Sequence, residues 1–174
     1  KHNKYLYIGA IVFGFGFLNK YNICFLMLGL LPAVLFSKER VIFLKKEFYL
    51  AIALALLIIF PNLIWQFRNN LPVLSHMKEL EETQLVNVSR LNFLKGQLLF
   101  FAGGLPVLIA SLFALFRYER VKNLRLLALA MFFVLALFTY LKGKPYYAIG
   151  LYPVYLGIGA VYFESLLVSS WKKY

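Results

Sequence analysis

Phe48–Gln66 reads FYLAIALALLIIFPNLIWQ. An apolar block of this length is close to the roughly 20 helical residues that cross the ~30 Å hydrocarbon layer of a bilayer. In that layer every backbone N–H and C=O must be bonded within the chain, so the block folds as a helix. Its end, Pro61-Asn62-Leu63-Ile64-Trp65-Gln66, carries a proline that predicts a bend. Asn62 and Gln66, at i and i+4, share a face. That pair either bonds a neighbouring helix or reaches a sugar hydroxyl.

The same pattern recurs on both sides. Further apolar segments are Tyr5–Leu18, Tyr21–Phe36, Phe93–Phe116, Leu126–Leu141 and Tyr146–Val168. The chain has 174 residues, 62% hydrophobic and 15% charged, which no soluble domain of this size matches. The fold class is therefore all-α: a polytopic transmembrane helical bundle of about six apolar segments, read as a single transmembrane domain over 1–174. Tyr5–Leu18 and Tyr21–Phe36 are short for full spans. The polar break between them, Asn19-Lys20-Tyr21, is either a tight hairpin or a broken helix facing other protein. The chain starts Lys1-His2-Asn3-Lys4, without an initiator Met or signal-peptide pattern, and reads as part of a longer protein. Cys24, the single cysteine, lies in an apolar run and reads as a small packed apolar group.

The net charge of +12 does not mark a nucleic-acid binder, because the basic residues fall in short clusters between apolar spans. Such clusters set topology and meet anionic membrane lipids. Ser37–Glu47 carries Lys38, Arg40, Lys45 and Lys46; Arg117–Arg125 carries Arg117, Arg120, Lys122 and Arg125. Both read as cytoplasmic, with the start Lys1–Lys4 and the tail Trp171-Lys172-Lys173 on the same side. Alternation then puts Asn19–Tyr21, the main loop of residues 67–92 and the turn Lys142–Pro145 on the non-cytoplasmic face. Loops on a rigid scaffold carry most site residues, so that face holds the candidates.

Lys20, Arg68, Arg90, Lys95, Lys142 and Lys144 are cations on the outer face, against the topological bias. An anionic ligand such as a lipid phosphate gives one reason, since Lys supplies a point charge and Arg a bidentate fork. Snorkelling to head groups or pairing with glutamates gives the other. The ligand reading is strongest for Lys20, which is hard to solvate, and for the tight pair Lys142 and Lys144. Tyr146, Tyr147, Tyr152 and Tyr155 follow, either as an aromatic belt or as rings that stack on sugars and flank a lipid tail. Pro145 fits a helix start, and Pro153 predicts a kink. His76 and Glu79 share a face if their segment is helical, a spacing that serves a metal, a base–acid pair or a plain solvated face. There is no Asp; all seven carboxylates are Glu. An outer-face base is therefore Glu79, Glu81 or Glu82, or lies outside this chain. No cofactor-binding, P-loop or metalloprotease pattern is present, and no cofactor or metal is expected.

Gly14-Phe15-Gly16-Phe17-Leu18-Asn19-Lys20-Tyr21 resembles the G-x-x-x-L-T-K-Y segment of family 39 glycosyltransferases, with Asn19 where Thr is usual. Phe60-Pro61-Asn62-Leu63-Ile64-Trp65-Gln66 resembles their P-N-x-x-W-x motif. Lys144-Pro145-Tyr146-Tyr147-Ala148-Ile149-Gly150-Leu151-Tyr152-Pro153 resembles their K-x-Y-Y-x-x-x-x-Y-P motif. The family comprises dolichyl-phosphate-mannose protein mannosyltransferases and the bacterial aminoarabinose transferases of lipid A. The resemblance implies a GT-C fold in the cell (inner) membrane. It implies transfer of a sugar from a polyprenyl-phosphate donor to a lipid, glycan or protein acceptor on the non-cytoplasmic face. It implies a catalytic Asp in a first outer loop, for which this chain has no counterpart. The chain thus reads as a middle-to-C-terminal portion, inactive alone, with its catalytic base elsewhere. The substrate-binding candidates are Lys20, Tyr21, Asn62, Arg68, His76, Lys142, Lys144, Tyr146 and Tyr147. A transporter or flippase of an anionic lipid or sugar is the alternative, supported by the Gly-rich break at Asn19–Tyr21.

Overall fold

The computed structural model describes residues 3–171, and side chains through residue 167. Lys1, Lys172 and Lys173, counted in the topological reading, lie outside the described residues. Among the described residues there are helices and no strand, as the all-α reading expects. The main helices are α1 (Lys4–Asn19), α2 (Ile23–Leu35), α3 (Lys46–Arg68), α4 (Pro72–Thr83), α5 (Arg90–Phe100), α6 (Leu105–Arg117), α7 (Leu126–Tyr140) and α8 (Tyr152–Trp171). Lys46–Arg68, Lys122–Tyr140 and Pro145–Leu167 are long and apolar enough to cross a membrane. With 23 residues, α3 is about 35 Å long; α1 and α2, with 16 and 13, reach only about 24 and 20 Å.

Two of the six apolar segments differ from their expected form. Phe93–Phe116 is not one straight span: α5 and α6 meet at a 65° bend. Gly103 and Gly104 weaken the helix there, and Pro106 in the first turn of α6 supplies no N–H. The segment from Tyr146 opens as a tight 3₁₀ stretch, Pro145–Leu151, before α8 begins. Pro153 therefore lies in the first turn of α8, where a missing N–H costs nothing, rather than kinking a helix already under way. By contrast α3 runs through Pro61 to Arg68 without interruption.

The chain divides into two compact units, one of Lys1–Leu28 with Leu35–Asn87, the other of Gly29–Val34 with Val88–Tyr174. In the first, α1 and α3 pack along a stripe of small residues. Ala10, Ala51 and Ala55 form its centre, with Leu6, Tyr7, Phe13 and Leu54 around them. A Cβ on Gly14 would lie 2.9 Å from Ile58 Cγ2, so the two backbones approach as closely as small residues allow. Ala10 meets the Ala51–Ala55 level and Gly14 meets Ile58, so the helices run in the same direction. Their C-terminal ends, Asn19 and Arg68, therefore share one end of the unit.

In the second unit α6 and α8 form the equivalent pair. Ala110, Ser111, Ala114 and Leu115 of α6 are buried, and a Cβ on Gly159 of α8 would collide with the carbonyl of Val107. Gly104 faces Leu156 and Phe113 faces Tyr162, so this pair also runs parallel. Val134 of α7 packs against Gly29, whose Cβ would lie 2.7 Å from the Val134 Cα. Arg125 closes the end of α6: its Nε donates to the Leu115 carbonyl at 3.2 Å and its Nη2 to that of Phe116 at 2.8 Å. A cation at these last carbonyls satisfies acceptors that the helix itself leaves open. The outer surface is apolar, with Val12, Leu57, Ile109 and Phe132 all more than 60% exposed. Such a surface suits hydrocarbon rather than water.

The glycine contact gives a matched test. Gly159→Ala is expected to cost about 1–3 kcal/mol by overpacking, seen as a lower thermal midpoint in detergent. Gly157→Ala, on the same helix with nothing within 4 Å of the added Cβ, should hold or raise that midpoint. Equal midpoints for the two variants would contradict the packing.

Candidate functional site

The first unit gathers its polar side chains where α1 and α3 end. After α1 the Lys20 N–H bonds the Gly16 carbonyl at 2.8 Å, and Lys20 itself is extended, with φ −156° and ψ 120°. That turn delivers Tyr21 against Phe17, ring centroids 4.7 Å apart. The Tyr21 hydroxyl donates to Asn62 Oδ1 at 2.8 Å and accepts from Gln66 Nε2 at 2.7 Å. Asn62 and Gln66 thus share a face of α3, as their spacing expects, and both meet one hydroxyl. Gln66 is only 7% exposed, and its Oε1 accepts the Val73 N–H at 3.2 Å. Val73 lies in the first turn of α4, so the glutamine also satisfies a donor that this helix leaves open.

The exit from α3 is strained. Asn70 and Leu71 have φ of 58° and 54°, and the Leu71 N–H bonds the Gln66 carbonyl at 2.7 Å. Asn tolerates the left-handed region; Leu does so only at a cost. Pro72 then starts α4. His76 and Glu79 lie on the exposed side of this helix, with Nδ1 and Oε2 3.9 Å apart. Arg68, in the last turn of α3, is exposed.

The second unit holds a corresponding arrangement. Gln97 of α5 is 6% exposed. Its Nε2 donates to the Pro145 carbonyl at 2.9 Å and to the Phe93 carbonyl at 3.1 Å, while its Oε1 accepts from the Tyr152 hydroxyl at 2.9 Å. Tyr152 stacks on Phe101 with centroids 4.3 Å apart. A Cβ on Gly96 would lie 2.5 Å from the Pro145 Cβ, so glycine is what lets α5 approach this turn. Nothing in the sequence reading singled out Gln97. The available signal was a glutamine inside an apolar run, which has to find internal partners.

Gln97 thereby fixes the turn that carries the lysine pair. The Gly143 N–H bonds the Phe138 carbonyl at 2.8 Å and the Lys142 N–H bonds that of Thr139 at 3.3 Å. This is the paired closure of a helix end in which the residue after the cap is left-handed. That residue is Lys142, with φ 51°. Gly143 cannot be exchanged with it freely, since a Cβ there would lie 2.9 Å from Phe138 Cδ1. Lys142 is exposed and Lys144 half-buried. Tyr146 is 45% exposed, its ring 4.9 Å from that of Tyr147, which packs on Phe138 at 6.0 Å. Of the sequence candidates, then, Tyr21 and Asn62 are in contact beside Lys20 in the first unit, with Arg68 and His76 further along that chain. Lys142, Lys144, Tyr146 and Tyr147 share one turn of the second.

A family model described as dolichyl-phosphate-mannose-protein mannosyltransferase matches residues 1–65. The matched stretch holds α1, α2 and most of α3, and includes residues 14–21 and 60–65. The resemblance read from those residues is borne out there, and it supports a membrane glycosyltransferase in general. No curated protein and no solved structure matches the chain.

The Gln97 node predicts a non-additive pair of variants. Gln97→Leu deprives the Tyr152 hydroxyl and the Pro145 carbonyl of their partner, at about 1–3 kcal/mol. Tyr152→Phe removes one hydrogen bond, at about 0.5–1.5 kcal/mol. In the double variant the cost should fall below the sum, because the same bond is lost twice. Strictly additive losses in thermal unfolding would contradict the network.

Proposed function

We propose that the protein is a membrane glycosyltransferase that moves a sugar from a polyprenyl-phosphate donor to an acceptor hydroxyl on the non-cytoplasmic face. The family match over residues 1–65 supports the general class. The observation that carries the finer reading is the backbone of Lys142. A lysine in the left-handed region costs about 1 kcal/mol or more relative to glycine, yet the turn keeps a lysine there. Exposed next to Lys144 and the half-exposed Tyr146, it presents a cation at the edge of a span. A lipid phosphate at head-group level fits that chemistry.

In the step envisaged, the bond from the sugar's anomeric carbon to the phosphate oxygen breaks, and its electron pair leaves with the polyprenyl phosphate. A bond from the acceptor oxygen to that carbon forms, and the acceptor proton passes to a carboxylate base. Lysines held in place gain more from the developing phosphate charge than from the bound donor, which lowers the barrier. Lys142 and Lys144 take that role here, with Tyr146 and Tyr147 flanking lipid or sugar. Lys20, in the first unit, offers a cation of the same kind.

In the full-length protein, Lys142→Ala and Lys144→Ala should each lower transfer roughly 10- to 100-fold at unchanged expression. Lys142→Gly separates charge from backbone: it should fold at least as stably as the parent, by up to about 1 kcal/mol, and still lose transfer. Undiminished transfer in all three variants would remove the pair from the mechanism.

A further inference from the structure

Each unit places a lysine directly before a residue that a buried glutamine holds. Lys20 precedes Tyr21, whose hydroxyl accepts from Gln66 Nε2 at 2.7 Å. Lys144 precedes Pro145, whose carbonyl accepts from Gln97 Nε2 at 2.9 Å. Both amides are bonded at their oxygen too, Gln66 Oε1 by the Val73 N–H and Gln97 Oε1 by the Tyr152 hydroxyl. Both glutamines are less than 10% exposed, so neither can trade its bonds for water. A buried amide bonded at both ends has one orientation, and it holds what it bonds: the Tyr21 hydroxyl in one unit and the Pro145 peptide in the other.

We infer that Gln66 and Gln97 are positioning residues, which set the directions of Lys20 and Lys144 toward lipid phosphate without touching it. The inference rests on the reading of these lysines as phosphate ligands. A long flexible lysine is a poor phosphate ligand if its own backbone wanders, because its rotamer entropy is lost again at every binding event. Fixing the next residue, through its side chain at Tyr21 and its backbone at Pro145, reduces that loss. In the first unit the same glutamine ties the start of α4 to the Tyr21 hydroxyl, while the neighbouring Lys20 N–H is held by the Gly16 carbonyl at 2.8 Å. In the second, Gly96 and the Phe101–Tyr152 stack bring Gln97 and Pro145 to bonding distance.

Lysine footprinting on the full-length protein in lipid vesicles tests this. Acetic anhydride labels exposed amines, and mass spectrometry reads each lysine's rate with and without saturating polyprenyl phosphate; uncharged polyprenol is the control and Lys95 the reference. In the parent protein polyprenyl phosphate, not polyprenol, should slow labelling of Lys20 and Lys144 roughly tenfold. Tyr21→Phe, which keeps the ring on Phe17, should abolish the protection of Lys20 and leave that of Lys144. Gln97→Leu should do the reverse. Tyr152→Phe, which retains the stack on Phe101, should weaken protection of Lys144 alone and covers the case that Gln97→Leu fails to fold. Full protection of both lysines in all these variants overturns the positioning role and leaves the phosphate reading standing. Equal loss at both lysines in any one variant also overturns it, since that marks a general structural effect. No protection in the parent protein overturns the phosphate reading, and the inference with it.

Discussion

A glutamine inside an apolar helix carries two donors and an acceptor into a place without water. Leaving them unbonded costs several times the net value of a normal hydrogen bond, so the surrounding chain has to arrange itself around the amide. Gln66 and Gln97 meet that demand with a tyrosine hydroxyl and backbone groups from elsewhere in their own unit. Helix packing in a membrane has little hydrophobic drive, because lipid is as apolar as leucine. Close-packed small residues therefore hold α1 to α3 and α6 to α8, while the glutamine bonds fix the turns and set which residues face outward.

That arrangement explains why the cations are placed as they are. Lys20 and Lys144 lie one residue from a glutamine-bonded group, and Lys142 is held left-handed by the closure of α7. A lysine on a free loop would have to be ordered by its ligand. A lysine on a fixed turn is already oriented, which is the condition under which an enzyme's charges lower a barrier rather than merely bind. The strain at Lys142 and at Leu71 fits the same account, since unfavourable backbone survives where the rest of the fold over-determines it.

Much of the fold is legible in the sequence because hydropathy is a local property. All six apolar segments are helical, and the Asn62–Gln66 face is set by helical periodicity alone. The bend between α5 and α6 is hidden from hydropathy, although Gly103, Gly104 and Pro106 lie at it, because the apolar run continues across the break. Pro153 reads as a kink from sequence for a related reason: only the 3₁₀ stretch before it shows that α8 starts there. Gln97 is not legible in the sequence because its partners, Pro145 and Tyr152, lie some fifty residues away, and spacing along a chain carries no signal of such contacts. Whether Lys142 or Gly143 takes the left-handed position depends on where Phe138 sits, which is a matter of three-dimensional packing.

Bond cleavage at a lipid-linked sugar can be read directly by reconstitution. Full-length protein in vesicles is given a polyprenyl-phosphate sugar labelled separately in sugar and lipid, together with membrane extract as the source of acceptor. A glycosyltransferase parts the two labels, releasing free polyprenyl phosphate as sugar enters acceptor, and Lys144→Ala suppresses the release. Movement of intact donor across the bilayer with both labels still joined would contradict it and would identify a lipid transporter instead.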